Sequence, residues 1–235
     1  DASDLESNVN NPYYGLDNWI YVANGGIGGT GIRFTSDSSN TVLKNNAGDH
    51  RVRFKPGSLE LEMLAGQSQF GHTEDIAGHP LFVENALHIY EEVIPAKYLN
   101  RNPNLVVSSA TELIADHSNK VFPRTINPEN QLLTDVGVFT AACGINAYLG
   151  GAFGKEYDNA VFVCEPAHNL IHVDRLKDKN AAHTASRMDS ATEFLTSTDP
   201  WFRPDNLYTG PDGALYVVDY YRQFIEGPAF LSEEV

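Results

Sequence analysis

Short apolar runs built around an aromatic residue and a valine recur along the chain, bounded by clusters of Gly, Pro, Asn and Asp. Such runs predict strands, and the clusters between them predict turns. The segment from Trp201 to Arg222 shows the pattern most plainly. Pro211-Asp212-Gly213 is a turn, because Pro presets φ, Asp can hydrogen-bond its own backbone and Gly accepts positive φ. A short strand is predicted over Asn206 to Thr209. A buried one is predicted over Ala214 to Asp219, whose residues fit a pleated surface.

The pattern repeats as Asn18-Trp-Ile-Tyr-Val22, His79-Pro-Leu-Phe-Val83, Asn159-Ala-Val-Phe-Val163 and Gly213-Ala-Leu-Tyr-Val217. Two positions after each valine stands Asn24, Asn85, Glu165 or Asp219, on the valine's own face of the strand. A further β segment is predicted each time, at 31–34, 87–93, 169–173 and 222–225. Repeats of this kind point to a β-meander architecture. The expected fold is therefore all-β, a β-propeller with about four blades in this chain. A β-sandwich is the alternative. Four blades do not close a ring, so further blades are expected on another segment or another chain.

Between the repeats, Gly25 to Gly31 is glycine-rich but lacks the spacing and the Gly-Lys-Ser/Thr ending of a phosphate loop. It reads as a loop that passes close to a neighbour. The segment 36–50 reads as a polar surface insertion. A hairpin is predicted from Arg51 to Phe54 and from Leu59 to Leu64. The run Gly66 to Thr73 holds the place that Asn206 to Gly210 holds in the last repeat, which makes Gln69 and His72 candidate site residues. Residues 94–128 break the pattern as an inserted lid or docking surface, with a short helix expected near 110–115.

The two cysteines, Cys143 and Cys164, are equidistant from a turn-prone Gly150 to Gly154 and should face each other across antiparallel strands. A disulfide is expected in an oxidising compartment, with two buried thiols as the alternative. Two cysteines and no Cys-x-x-Cys-His leave no place for covalent haem in this chain. Among eight histidines, only His168 and His172 are spaced i, i+4. They fall on a predicted strand-loop-strand, and on a strand that spacing separates them by about 13 Å, too far for one ion unless the loop bends. No metal ligand is assigned; His168 is expected at a channel mouth and His172 on a blade surface.

Composition narrows the partners. With 235 residues the chain can bury a full core. Its 31 acidic and 16 basic residues give a formal charge of −15, which argues against nucleic acid. No apolar run approaches the roughly 18 residues of a membrane span, and no leader opens the chain, so Asp1 reads as a processed or truncated start. A periplasmic or extracellular setting fits best.

The runs Ala142-Cys-Gly, Val163-Cys-Glu-Pro-Ala-His-Asn-Leu-Ile-His172 and Ser197 to Arg222 resemble a family of membrane-bound dehydrogenases from Planctomycetes-type bacteria. That family is similar to sorbosone and soluble glucose dehydrogenases, and often carries a c-type haem domain. The resemblance covers most of residues 12 to 228. It implies a six-bladed propeller with pyrroloquinoline quinone (PQQ) and calcium at one end of its channel. It also implies oxidation of a sugar or related alcohol or aldehyde, with electrons passing to a haem domain or cytochrome. Of two arginines expected before the last turn, Arg203 is present and Asp205 replaces the other; Ser68-Gln-Phe70 stands where Arg-Asn-Pro is expected. Arg203 would contact an anion, while Gln69, His72, His168 and Asn206 would hydrogen-bond at the rim. No catalytic residue is assigned. The competing expectation is a non-catalytic propeller that binds carbohydrate or protein, or serves as a scaffold.

Overall fold

The computed structural model describes residues 9–25, 32–33, 42–43, 48–55, 58–124 and 134–234. The chain is all-β. A first antiparallel sheet runs in the order β1 (Asn10–Tyr14), β2 (Ile20–Ala23), β5 (His50–Lys55) and β6 (Ser58–Met63), with a short pair β3 (Ile32–Arg33) and β4 (Val42–Leu43) set apart. A second comprises β7 (His72–Glu74), β8 (Pro80–Phe82), β9 (Tyr90–Glu92) and β10 (Thr111–Leu113), with a one-turn helix α1 (Ala96–Leu99) between its last two strands. The third contains β11 (Cys143–Ala147), β12 (Ala160–Glu165), β13 (Leu170–Lys179) and β14 (Ala182–Arg187), and β15 (Leu195–Thr196) pairs with the start of β13. The hairpin β16 (Pro204–Thr209) and β17 (Leu215–Asp219) follows. Each sheet is a meander in sequence order, so neighbouring strands are joined by turns and loops rather than by crossovers.

The four recurring runs become β2, β8, β12 and β17, each the second strand of its unit. The strands before them, β1, β7, β11 and β16, lie next to one another: β7 packs beside β1 and β11, and β11 beside β16. Gly144, at φ +57°, sits where a Cβ would come within 2.6 Å of Asn206 Cα, so β11 and β16 approach as closely as backbone allows.

β12 is buried on both faces and separates two apolar clusters. Val161 and Val163 join Leu81 of β8, Val83 and Ile89 of the segment between β8 and β9, and Leu170 and Leu176. Ala160, Phe162 and Cys164 face the other way, toward Leu207 of the hairpin, Ile171 and Val173. Phe194 and Phe153 close that side with edge-on ring contacts to Phe162, at 4.8 and 6.0 Å between centroids.

Several expectations are corrected. β17 is not buried: Tyr216, Val217 and Val218 are exposed, because among the described residues no third strand pairs with it. Residues 222–225 form no strand. The helix expected near 110–115 is instead β10, whose Thr111 and Leu113 pair with Glu92 and Tyr90, so part of the presumed lid completes the second sheet. The glycine-rich run beyond Gly25 and most of 36–50 lie outside the described residues. No helix among the described residues is long and apolar enough to cross a membrane.

Candidate metal centre

The site is built on one face of β13. Leu170, His172, Asp174 and Leu176 alternate with Ile171 and Val173, so the first set points toward the second sheet with the polar pair between two leucines. His88 comes from the loop before β9, held by Ile89 at φ +58° and by a ring stack on Phe139 at 4.1 Å. His117 follows β10 on a segment bound to β14, where Asp116 N–H donates to the carbonyl of Ala185 (3.0 Å). Ligand atoms of His88, His117, His172 and Asp174 all lie within 4.8 Å of one another.

Asp174 is the hub. Its Oδ1 lies 3.0 Å from His117 Nε2 and 3.0 Å from His172 Nε2, and its Oδ2 lies 3.3 Å from His88 Nε2. The Nε2 atoms of His88 and His117 are 3.4 Å apart. The far nitrogens are also engaged. His117 Nδ1 faces the carbonyl of Ser118 at 2.8 Å, and His172 Nδ1 faces Glu193 Oε2 at 2.6 Å. Glu193 is in turn held by Phe122 N–H (3.0 Å) and Arg187 (2.8 Å).

A neutral imidazole has one donor and one acceptor nitrogen. His117 and His172 each present both nitrogens to acceptors, so each must carry a second proton or a metal ion at Nε2. A carbonyl or carboxylate behind a histidine is the usual support of a metal-bound imidazole, fixing its tautomer and turning its lone pair inward. Metal to nitrogen or oxygen distances of about 2.0–2.2 Å in a tetrahedral site put ligand atoms roughly 3.3–3.6 Å apart. The 3.3 and 3.4 Å separations around His88 match that spacing.

The electrostatics concentrate negative charge at the hub. Burial works to raise the Asp174 carboxyl, but hydrogen bonds from His117, His172 and His88 outweigh it and hold the group well below the ordinary carboxylate range. Burial depresses His88 to about 4, which favours the neutral ring that ligates. For His172, burial opposes the charge, yet Asp174 and Glu193 raise its pKa overall.

A family model for a domain of unknown function, DUF7133, matches residues 1–235. The chain belongs to the DUF7133 family. No curated protein and no solved structure matches it.

In this DUF7133 member the residues singled out by sequence do not form one site. Gln69 and Asn206 come near each other through the start of β1: Asn10 Nδ2 donates to the Gln69 carbonyl (2.9 Å), and Asn206 Nδ2 donates to Asn11 Oδ1 (3.3 Å). Gln69 also lines a cavity of about 530 Å³ with Asn85, Asn119, Asp135 and Asp205. His72 is buried elsewhere, 3.1 Å from both Ser68 Oγ and Asp49 Oδ2. His168 has both nitrogens engaged, accepting from Gly137 N–H at Nε2 (2.9 Å) and donating to Glu165 at Nδ1 (3.0 Å), so it cannot join His172 on an ion.

Arg203 is 1% exposed, and its guanidinium donates to the carbonyls of Pro166, Ala167, Arg222 and Gln223. Four backbone carbonyls therefore hold the guanidinium at the position where an anion contact was expected. Cys143 and Cys164 are directly opposite, as their symmetry about the turn predicts, but both are free thiols, so the expected disulfide is not formed. His172, expected on a surface, is 1% exposed. Sequence reasoning missed His88, His117 and Asp174. The His172-x-Asp174 alternation was a usable signal for the last. Nothing local marks the two histidines, which come from loops of another sheet.

Proposed function

We propose that this chain is a metal-binding portion of a β-propeller, in which His88, His117, His172 and Asp174 hold one divalent transition-metal ion between two neighbouring blades. The carrying observation is the convergence of three Nε2 atoms on one buried carboxylate, with acceptors already behind two of the rings. A three-nitrogen, one-oxygen donor set suits Zn²⁺ among common divalent ions, and four protein ligands in a buried setting suit a structural role. The propeller reading is supported by three sequential four-stranded meanders with their first strands side by side. The ion would tie the second sheet to the third, adding to folding stability through its binding energy.

Protein purified without added metal should contain one tightly held equivalent by elemental analysis. Replacement with Co²⁺ should give the visible absorption of a four-coordinate site. Glu193→Gln, which places an amide NH₂ against the His172 Nδ1–H, should weaken binding by about 10–100-fold. A metal-free protein that takes up no Co²⁺ would reject the centre in favour of a network of protonated histidines.

A second reading, carbohydrate binding, rests on the 530 Å³ cavity, whose lining pairs carboxamides and carboxylates with Phe70 and Phe139. Such a surface offers donors and acceptors to polyol hydroxyls. Among the described residues its lining includes Asp135, Asp205 and Glu226 and no arginine or lysine, which does not suit an anionic quinone such as PQQ. Calorimetry against a panel of neutral sugars tests the reading; a panel without heat of binding rejects it.

A further inference from the structure

We propose that Asp75, His79 and His183 form a second, solvent-accessible metal site at the outer margin of the same two sheets. Asp75 and His79 bracket the turn between β7 and β8, and His183 lies on β14. Ligand atoms of the three fall within 4.8 Å of one another, and the two imidazole rings meet edge-on at 4.9 Å.

The turn is shaped by Asp75. Its Oδ1 accepts the N–H groups of Ala77 (2.9 Å) and His79 (2.8 Å), which leaves Oδ2 directed at His79 Nδ1 (2.7 Å) and toward His183 Nε2 (3.7 Å). On the other side, Glu91 is 1% exposed and accepts both the backbone N–H of His183 (2.8 Å) and its Nδ1 (3.1 Å). Donation through Nδ1 turns Nε2 outward as the ring's free nitrogen, the arrangement by which a buried carboxylate prepares a metal-binding histidine.

Asp75 and His79 are in direct contact at 2.7 Å, but the separations at His183 favour a shared ion over an ion pair. His183 Nε2 lies 3.7 Å from Asp75 Oδ2 and 3.6 Å from Oδ1 of Asp178, its partner across the strand pair. Both exceed a hydrogen bond, yet fall near the distance between ligands that share an ion at about 2.0–2.2 Å. Asp178 is fully exposed and can complete the set from solvent. Two imidazoles and one or two carboxylates suit Zn²⁺, Ni²⁺ or Cu²⁺. His79, at 48% side-chain exposure, leaves the site open to exchange. An ion there would clamp the 75–79 turn of the second sheet onto the β13–β14 edge of the third.

The test is calorimetric titration of the full chain with Zn²⁺, paired with thermal melts. Chelator-treated wild type should show two classes of site, and its melting temperature should keep rising after the tight class is filled. His79→Ala and Asp178→Asn, both surface changes, should each weaken the second class at least about tenfold and leave the first unchanged. Asp174→Asn should do the reverse. A single class in the wild type, lost on Asp174→Asn and untouched by His79→Ala, would overturn the second site. A single class lost on His79→Ala would keep this inference and remove the buried centre.

Discussion

His117 turns one nitrogen to the carbonyl of Ser118 and the other to Asp174, with Nε2 and Oδ1 3.0 Å apart. The second contact joins a loop after the second sheet to a strand of the third, and it depends on Asp174 carrying full negative charge. Asp174→Asn is therefore expected to lose the tight metal equivalent, because the amide replaces one oxygen with donors facing three imidazoles. Removing one partner from a buried charged cluster costs about 3–5 kcal/mol. Elemental analysis and the urea midpoint check the two effects, and a variant that keeps both its metal and its stability would sink the assignment.

Gly144 tests the packing of β11 against β16. Its φ of +57° is disfavoured for an L side chain, and an added Cβ would lie 2.5 Å from the Asp205 carbonyl oxygen and 2.6 Å from Asn206 Cα. Both neighbours are backbone and cannot swing aside. Gly144→Ala should destabilise the chain by more than about 1 kcal/mol, read as a lower urea midpoint. An unchanged midpoint would mean that the two strands can separate freely.

Cys143 and Cys164 are cross-strand partners and both buried. The hydrogen bond with Cys164, followed by burial, pushes the Cys143 thiol well above its ordinary value. A protonated, enclosed thiol is a poor nucleophile. Neither cysteine should react with a thiol reagent in the native protein, and two should react after unfolding. No reaction after unfolding would show that the pair is bridged.

What the sequence discloses follows from the range of each signal. The turn at Pro211-Asp212-Gly213 is local chemistry, and it appears with Gly213 at φ +78° and Asp212 accepting Ala214 N–H. The aromatic-valine runs locate β2, β8, β12 and β17 because apolar strands announce themselves. The first strands are harder to see: β1 reads Asn-Asn-Pro-Tyr-Tyr and is at most half-buried, while β7 reads His-Thr-Glu and is buried, so the burial of β7 comes from its neighbours rather than from hydrophobicity. The polar residue after three of the valines proves structural. Asn24 donates to the Gly48 carbonyl, Glu165 caps two backbone N–H groups, and Asp219 accepts from Arg203 and Tyr221.

Arg203 shows the opposite limit. The family resemblance implies a ligand contact for it, but its partners are carbonyls of two distant segments that no local pattern marks. The metal centre is hidden for the same reason. His88 and His117 approach β13 only once two sheets pack face to face, and their spacing in the chain bears no relation to their spacing in space.

Glu165 makes stability depend on pH in a definite direction. It is fully buried, with Oε2 accepting Thr140 N–H (3.2 Å) and Ala141 N–H (3.0 Å) and Oε1 accepting from His168 (3.0 Å). Burial raises its pKa above 4.5, and the hydrogen bonds from His168, Ala141 and Thr140 reduce that shift without cancelling it. The folded state thus holds the proton more tightly than the unfolded chain. That contribution is fully present below pH 4.5 and is lost as pH rises through the folded value. Glu165→Gln removes the titration. It also sets an NH₂ against the His168 Nδ1–H, which is fixed because Nε2 accepts from Gly137. The variant should be less stable by roughly 1–3 kcal/mol, and the gap from wild type should be widest in acid and narrow as pH rises. Urea midpoints at a series of pH values measure this gap; one that widened toward neutral pH would show that Glu165 is stabilised as the carboxylate instead.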